Sequence, residues 1–182
     1  MMKRLILAAI SSLIMISPAI ADEQMTPLAE QGNWIAMSHS NSITDPPDMC
    51  FAASVDGFVL RTDNTDNEVR YANKKWSLPA GVSGQLIIKV NGNSYPLSIT
   101  ANTDTMVDAE IPTDQLRALI GDMNKAATLT IIAGSAAPVN ISLSGSNVAI
   151  SAYLTCANIP APNGDAPAGE NPFQSNTPSD SK

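Results

Sequence analysis

The single histidine, His39, is the side chain best suited to acid–base chemistry near neutral pH. Its surroundings, residues 38–42, are rich in Ser and Asn and predict a loop. A catalytic triad also needs a nucleophile and an orienting group, and a metal site usually takes more than one His or Cys. No strand–turn–helix elbow of the G-x-S-x-G type surrounds Ser38 or Ser40. We therefore predict a surface role for His39.

A short acidic segment raises the question of calcium. Asp63, Asp66 and Glu68 place three carboxylates within six residues, beside two asparagines. Calcium binds several hard oxygens from one loop, but this spacing lacks the central Gly and distal Glu of an EF-hand. Two interpretations remain open, a solvated hairpin turn, which we favour, and a calcium site.

The two cysteines, Cys50 and Cys156, stand far apart in the chain. Catalytic dithiols are usually close together, as C-x-x-C, whereas an even count in an exported chain indicates a structural bond. We predict an intramolecular disulfide between them. Trp34 and Trp76 could form a sugar-stacking platform, but each lies in an apolar stretch, so we favour burial in the core.

Motifs for common enzyme chemistries are missing from the sequence. There is no phosphate loop, dinucleotide fingerprint, zinc motif or basic patch. We therefore expect no enzyme, with no catalytic residue, no metal-binding or cofactor-binding residue and no cofactor. A hydrolase remains as an alternative, with carboxylates that the sequence does not allow to be paired.

The first 21 residues have the order of a secretory signal. Lys3 and Arg4 precede an apolar run of about 12 residues, Pro18 follows, and Ala19 and Ala21 are the small residues before the cleavage site. A spanning helix needs roughly 20 apolar residues, so a cleaved signal is favoured over an anchor. This predicts a periplasmic or secreted protein.

The net charge limits the partners of the exported chain. The whole sequence has a formal charge of −7, and loss of Lys3 and Arg4 leaves 8 basic against 17 acidic residues, or −9. This sign argues against nucleic acid and anionic membranes and suits a protein partner that is basic. No later stretch predicts a transmembrane segment, and the sequence does not define the oligomeric state.

Short apolar runs alternate with turn residues and predict a mostly β protein. We expect an antiparallel β-sandwich or partly open barrel with one or two short helices, formed by a single domain over residues 22–158, with its folded part beginning near residue 30. Asn91-Gly92 predicts a hairpin, and residues 75–78 predict a short strand. The Pro-rich residues 159–182 predict a disordered tail.

Two segments have helical spacing. Leu116, Leu119, Ile120 and Met123 share one face, with Thr113 or Asp114 expected as the cap. Residues 146–156 fit either a closing helix with Ser146 as its cap, which we favour, or a last strand.

The order of several short motifs resembles a known family. Gly32-Asn33-Trp34 opens a strand, Leu78-Pro79-Ala80-Gly81 and Val90-Asn91-Gly92 follow, and residues 142–149 read S-L-S-G-S-N-V-A. This pattern is similar to the invasion-associated locus B family of alphaproteobacterial envelope proteins, although Asn91 stands where that family has Asp. The resemblance implies a non-enzymatic envelope protein linked to host-cell invasion or envelope stress.

An inhibitor or immunity protein is the alternative function. Acidic β-domains of the periplasm can block basic cell-wall hydrolases such as lysozyme, and charge speeds their association. Residues 144–146 and Tyr153 resemble the Ser-Gly-rich loop leading to a Tyr in lysozyme inhibitors.

Overall fold

A computed structural model describes residues 24–162 and contains ten strands and two helices. The predicted signal, residues 1–21, and residues 163–182 of the predicted tail lie outside the described residues. The elements are β1 (Gln24–Gln31), β2 (Trp34–Ser40), β3 (Met49–Ser54), β4 (Phe58–Asp63), β5 (Asn67–Ala72), β6 (Ser83–Val90), β7 (Asn93–Ala101), β8 (Met106–Glu110), α1 (Thr113–Met123), β9 (Thr128–Ala133), β10 (Val139–Ser142) and α2 (Ser146–Cys156).

All ten strands belong to one antiparallel sheet. The order across it is β1-β2-β3-β4-β5-β8-β7-β6-β9-β10, so β1 and β10 are its edges. The sheet is not closed into a barrel, but it curls until its two ends approach. Trp34 Nε1 on β2 donates a 2.8 Å hydrogen bond to the carbonyl of Ser142 on β10. The predicted mostly antiparallel β fold with two short helices is confirmed.

Alternation of side chains along the strands produces the core. On β6 and β7, every second residue from Leu86 to Val90 and from Tyr95 to Ile99 is buried. Asn91 and Gly92 join these strands with φ of +52° and +81°, which confirms the predicted hairpin.

Helix α1 forms where the apolar spacing predicts it. Leu116, Leu119, Ile120 and Met123 are all buried. The expected cap is wrong, because Pro112 is the N-cap and no side chain caps the helix. Thr113 Oγ1 instead accepts a 3.0 Å hydrogen bond from Asn67 Nδ2. Thr113 therefore ties the helix to β5. In the part of the chain that the structure describes, no helix is long and apolar enough to span a bilayer.

Three further sequence expectations need correction. Residues 24–31 lie largely before the expected start of the folded part near residue 30, but they form edge strand β1, because main-chain pairing with β2 needs no apolar pattern. Residues 75–78 are a loop rather than a strand, and the Leu78 N–H donates to the carbonyl of Asp104 outside any ladder. The ordered chain continues past residue 158, because the Arg117 guanidinium binds the carbonyls of Pro160 (3.1 Å) and Ala161 (3.3 Å).

Candidate functional site

Helix α2 is fixed at its N-terminus by a close main-chain contact with the β1–β2 turn. Its N-cap is Gly145 rather than the expected Ser146, with φ of +87°. A Cβ on Gly145 would lie 2.1 Å from the carbonyl oxygen of Gln31. Only glycine combines this φ with this approach, so the helix begins directly against the end of β1. Ser146 is fully buried, and its hydroxyl has no hydrogen-bond partner among the described residues.

Two side-chain links hold the rest of α2 on the sheet. The Tyr153 hydroxyl lies 2.6 Å from Thr62 Oγ1 on β4, and burial raises the pKa of Tyr153 to about 12. Cys50 on β3 is bonded to Cys156 at the last turn of α2, with the two Cα atoms 5.9 Å apart. This confirms the predicted disulfide, and the closing element is a helix as favoured. The buried face of α2 is thereby locked across β1, β2 and β3.

The outer face of α2 and the edge strand β1 form the walls of a groove, which we call the β1–α2 groove. The groove is open to solvent and has a volume of about 720 Å³. Its apolar surface comes from both walls and from the β2–β3 loop. The residues that provide it are Leu28, Ala29, Pro47, Val148, Ala152 and Cys156, and Asn147, Ser151 and Thr155 provide its polar edge. Among residues 24–162, no charged side chain lines the groove.

A bulge in β1 creates the strand side of this groove. Pro27 pairs with Met37 and Ala29 with Ala36, so Leu28 is an extra residue with no opposite partner. Leu28 is 40% exposed and Val148, on the facing helix, is 43% exposed. Large apolar side chains on both walls of the groove are thus in contact with solvent.

Charge is distributed unevenly around the fold. Residues 24–60, which include β1 to β3 and the start of β4, contain four acidic residues and no Lys or Arg. Residues 126–162, which include α2, contain no charged residue. Residues 61–125 contain eight acidic and seven basic residues. The half of the domain that carries the groove is therefore the acidic half. Within it, Asp45 and Asp48 flank Pro47, and Glu30 follows Ala29.

His39 lies at the end of β2 and not in a loop, which corrects the sequence prediction. It pairs with Met49 of β3, and its side chain is 17% exposed. The distance from His39 Nδ1 to Asp48 Oδ1 is 2.6 Å, and Asn41 Nδ2 donates to the other carboxylate oxygen at 2.7 Å. These contacts join the two ends of the β2–β3 loop, which carries Pro47 to the groove.

The acidic segment around Asp63 forms a tight turn. Asp63 Oδ1 accepts hydrogen bonds from the main-chain N–H groups of Thr65 and Asp66, both at 2.9 Å. These bonds, assisted by the Arg61 guanidinium, lower the pKa of Asp63. Arg61 also binds Glu68 at 2.8 Å. Two of the three carboxylates that suggested calcium, those of Asp63 and Glu68, are thus engaged by protein donors. Residues 24–162 contain no cluster of three metal-ligating side chains.

A second recess brings together carboxylates that are distant in sequence. Glu68, Asp108 and Glu110 line a cavity of about 430 Å³ on β5 and β8. Glu68 Oε2 accepts hydrogen bonds from Arg61 and Arg70, and Arg70 Nε lies 3.6 Å from Asp108 Oδ1. The hydrolase alternative requires a cleft that holds two acids close together, and three acidic side chains line this recess. Glu68 and Asp108, however, lie in an arginine network.

The two tryptophans differ in their surroundings. Trp34 is 1% exposed and packs edge-on against Phe58, with ring centroids 6.1 Å apart. Trp76 is half-buried, packs against Tyr71 at 5.4 Å and lines a cavity of about 310 Å³. Core burial is therefore complete for Trp34 and partial for Trp76.

The residues that suggested a lysozyme inhibitor have structural positions. Tyr153 is fully buried, and Gly145 is pressed against Gln31. Ser146 and Tyr153 are thus buried where α2 meets the sheet, whereas Ser144 is exposed.

Sequence reasoning missed Leu28 and Val148, because neither has the chemistry of a catalytic or ligand-binding side chain. The uncharged stretch 126–162 is the one sequence feature that could have drawn attention to α2. Sequence reasoning also missed Asp122, which accepts hydrogen bonds from Asn91, Asn93 and Tyr95 and anchors the β6–β7 hairpin to α1.

Comparisons of the chain with protein-family models, curated proteins and solved structures found no match.

Proposed function

We propose that this chain is a non-enzymatic interaction protein of the periplasm or of the secreted fraction, and that it binds a partner protein in the β1–α2 groove. The observation that carries the proposal is the exposure of Leu28 and Val148 on facing walls of a groove of about 720 Å³, whose lining within residues 24–162 is uncharged. Apolar surface of this kind releases water when a partner covers it, which favours association.

The construction of the groove supports a docking role. Its helical wall is held at both ends, by the Gly145 contact and by the disulfide of Cys156. A rigid wall loses little conformational entropy when a partner binds, so more of the contact energy appears as affinity. A role in the envelope agrees with the predicted export signal and with the resemblance to the invasion-associated locus B family.

The experiment is affinity capture from envelope and host-cell extracts with the wild type, Val148→Asp and Val82→Asp. Val148 is the third residue of α2, where an acidic side chain favours the helix dipole, so Val148→Asp should fold. Val82 is 40% exposed and lies outside the groove, which makes it the matched control.

A partner should be retained by the wild type and by Val82→Asp and lost with Val148→Asp. Its identification should be followed by calorimetry with the purified partner. Binding that is equal for all three proteins, or the absence of any specific partner, would count against the proposal.

A second candidate is inhibition of a basic cell-wall hydrolase such as lysozyme. The observation that favours it is the acidic half of the domain, because residues 24–60 contain four acidic residues and no Lys or Arg. Opposite charge accelerates association with a basic enzyme. The test is hydrolysis of bacterial cell walls by lysozyme with an excess of the purified protein, and an undiminished rate would rule out this target.

A further inference from the structure

We propose that the occupant of the β1–α2 groove is an amphipathic helix of a partner protein, with an apolar face and with Lys or Arg along its flanks. This inference rests on the proposed function and specifies the partner's chemistry. Three features of the groove support this inference: the interrupted hydrogen-bonding edge of β1, the shape of α2 and the distribution of charge.

Strand β1 is a poor template for an added strand. An incoming strand needs a regular row of main-chain donors and acceptors, but Pro27 has no N–H and the bulge at Leu28 interrupts the row. Both features are known means of protecting a sheet edge. The partner is therefore expected to bind through side chains rather than by extending the sheet.

The outer face of α2 suits a second helix. Asn147, Ser151 and Thr155 form one row of residues spaced by four, and Val148, Ala152 and Cys156 form the next. Rows with this spacing create the grooves into which the ridges of another helix pack, at an interaxial distance of about 8–10 Å. The side chains of both rows are small or medium in size, so another helix can approach closely.

Charge complementarity selects a basic occupant. The described residues that line the groove carry no charge, so an apolar face can enter it without burying an ion of this lining. The acidic residues adjoining it in sequence are Glu30 on one wall and Asp45 and Asp48 on either side of Pro47. Glu30 and Asp45 are exposed. Residues 24–60 and 126–162 contain no Lys or Arg. These acidic residues would therefore attract the basic flanks of a bound helix and repel acidic flanks.

The test uses a phage-displayed library of 18-residue amphipathic helices with a fixed Leu/Ala face and Lys or Glu at each flanking position. The library is selected against the mature chain from residue 22 to residue 182. We expect Lys to be enriched at the flanking positions. We expect the selected peptides to shift the amide resonances of β1 and α2 in ¹⁵N-resolved NMR spectra, and their affinity to fall with added salt.

Two substitutions at one position separate charge from apolar contact. Val148→Asp and Val148→Lys remove the same side chain and add opposite charges. Selected basic peptides should bind Val148→Lys at least about tenfold more weakly than Val148→Asp, and Val82→Lys should bind like the wild type.

The inference is overturned if no peptide is selected, if the flanking positions show no excess of Lys, or if Val148→Lys and Val148→Asp bind equally. It is also overturned if the groove is already filled by a second copy or by the chain's own C-terminal residues. A dimer that dissociates in Val148→Lys would show that a second copy fills the groove. Phe173 is the aromatic residue of the C-terminal segment 163–182. Resonance shifts in α2 caused by Phe173→Ala without peptide would show that this segment fills the groove. A captured partner that needs Val148 but uses a neutral or acidic segment would leave the proposed function intact and refute this inference alone.

Discussion

Removal of the disulfide is the perturbation whose magnitude follows most directly from the structure. Cys50 and Cys156 are 106 residues apart, and the chain-entropy model gives about 5 kcal/mol for a loop of this length. Unfolding the 139 residues from Gln24 to Pro162 carries an entropy of about 0.3 kcal/mol/K. We therefore expect the double variant Cys50→Ala/Cys156→Ala to melt about 16 °C below the wild type.

The measurement is thermal unfolding followed by far-UV circular dichroism and calorimetry. Wild-type protein treated with a reductant is the control, because it loses the bond but keeps both sulfur atoms. The reduced wild type should show most of the fall in Tm, since the proposed effect lies in the unfolded chain. The double variant should lose slightly more, because Cys50 is 4% exposed and its truncation leaves a small cavity.

Two results would contradict a stabilising disulfide. Thiol titration of the denatured, unreduced protein should find no free thiol, and two free thiols per chain would show that the bond is absent. A fall in Tm of less than about 3 °C would show that packing and not the covalent link holds α2 on the sheet. In that event the contact of Gly145 with Gln31 and the Tyr153–Thr62 contact would be the main restraints on α2.

The other predictions concern single contacts. Gly145→Ala should lower the free energy of unfolding in urea by at least about 2 kcal/mol, because the added Cβ would meet the Gln31 carbonyl. The control Gly92→Ala has open space around it and should cost only about 1 kcal/mol. Equal costs for the two variants would contradict the contact between Gly145 and Gln31. Asp122→Ala should cost about 3 kcal/mol, because three donors lose their acceptor. Hydrogen bonds from Tyr95 and two asparagines lower the pKa of Asp122 in the folded state. The contribution of Asp122 to the free energy of unfolding is therefore present above about pH 4 and is lost as pH falls through the lowered pKa. If the free energy of unfolding falls as sharply below pH 4 in Asp122→Asn as in the wild type, this prediction is wrong. Deletion from Pro160 onward should lower Tm more than deletion from residue 163, because only the first removes the carbonyls that bind a guanidinium on α1.

Local sequence patterns determined where most of the strands, helices and turns of this protein form. The Asn91-Gly92 turn, the apolar face of α1 and the alternation of β6 and β7 follow from conformational preferences and periodicity within a few residues. The disulfide could also be predicted, because two cysteines leave one intramolecular pairing. The β1 strand could not, since its polar residues owe their conformation to hydrogen bonds with β2.

The candidate site was decided by the tertiary structure. Leu28 and Val148 are about 120 residues apart, and neither has a distinctive chemistry, so no local pattern pairs them. They face each other because the sheet curls, the Gly145 backbone closes on Gln31, and the disulfide holds the far end of α2. His39 illustrates the same limit, because its polar neighbours predicted a loop, whereas pairing with β3 and the contact with Asp48 place it in a strand. Contacts between residues distant in sequence depend on the whole fold, and for this reason the sequence determined the parts and the tertiary structure determined the groove.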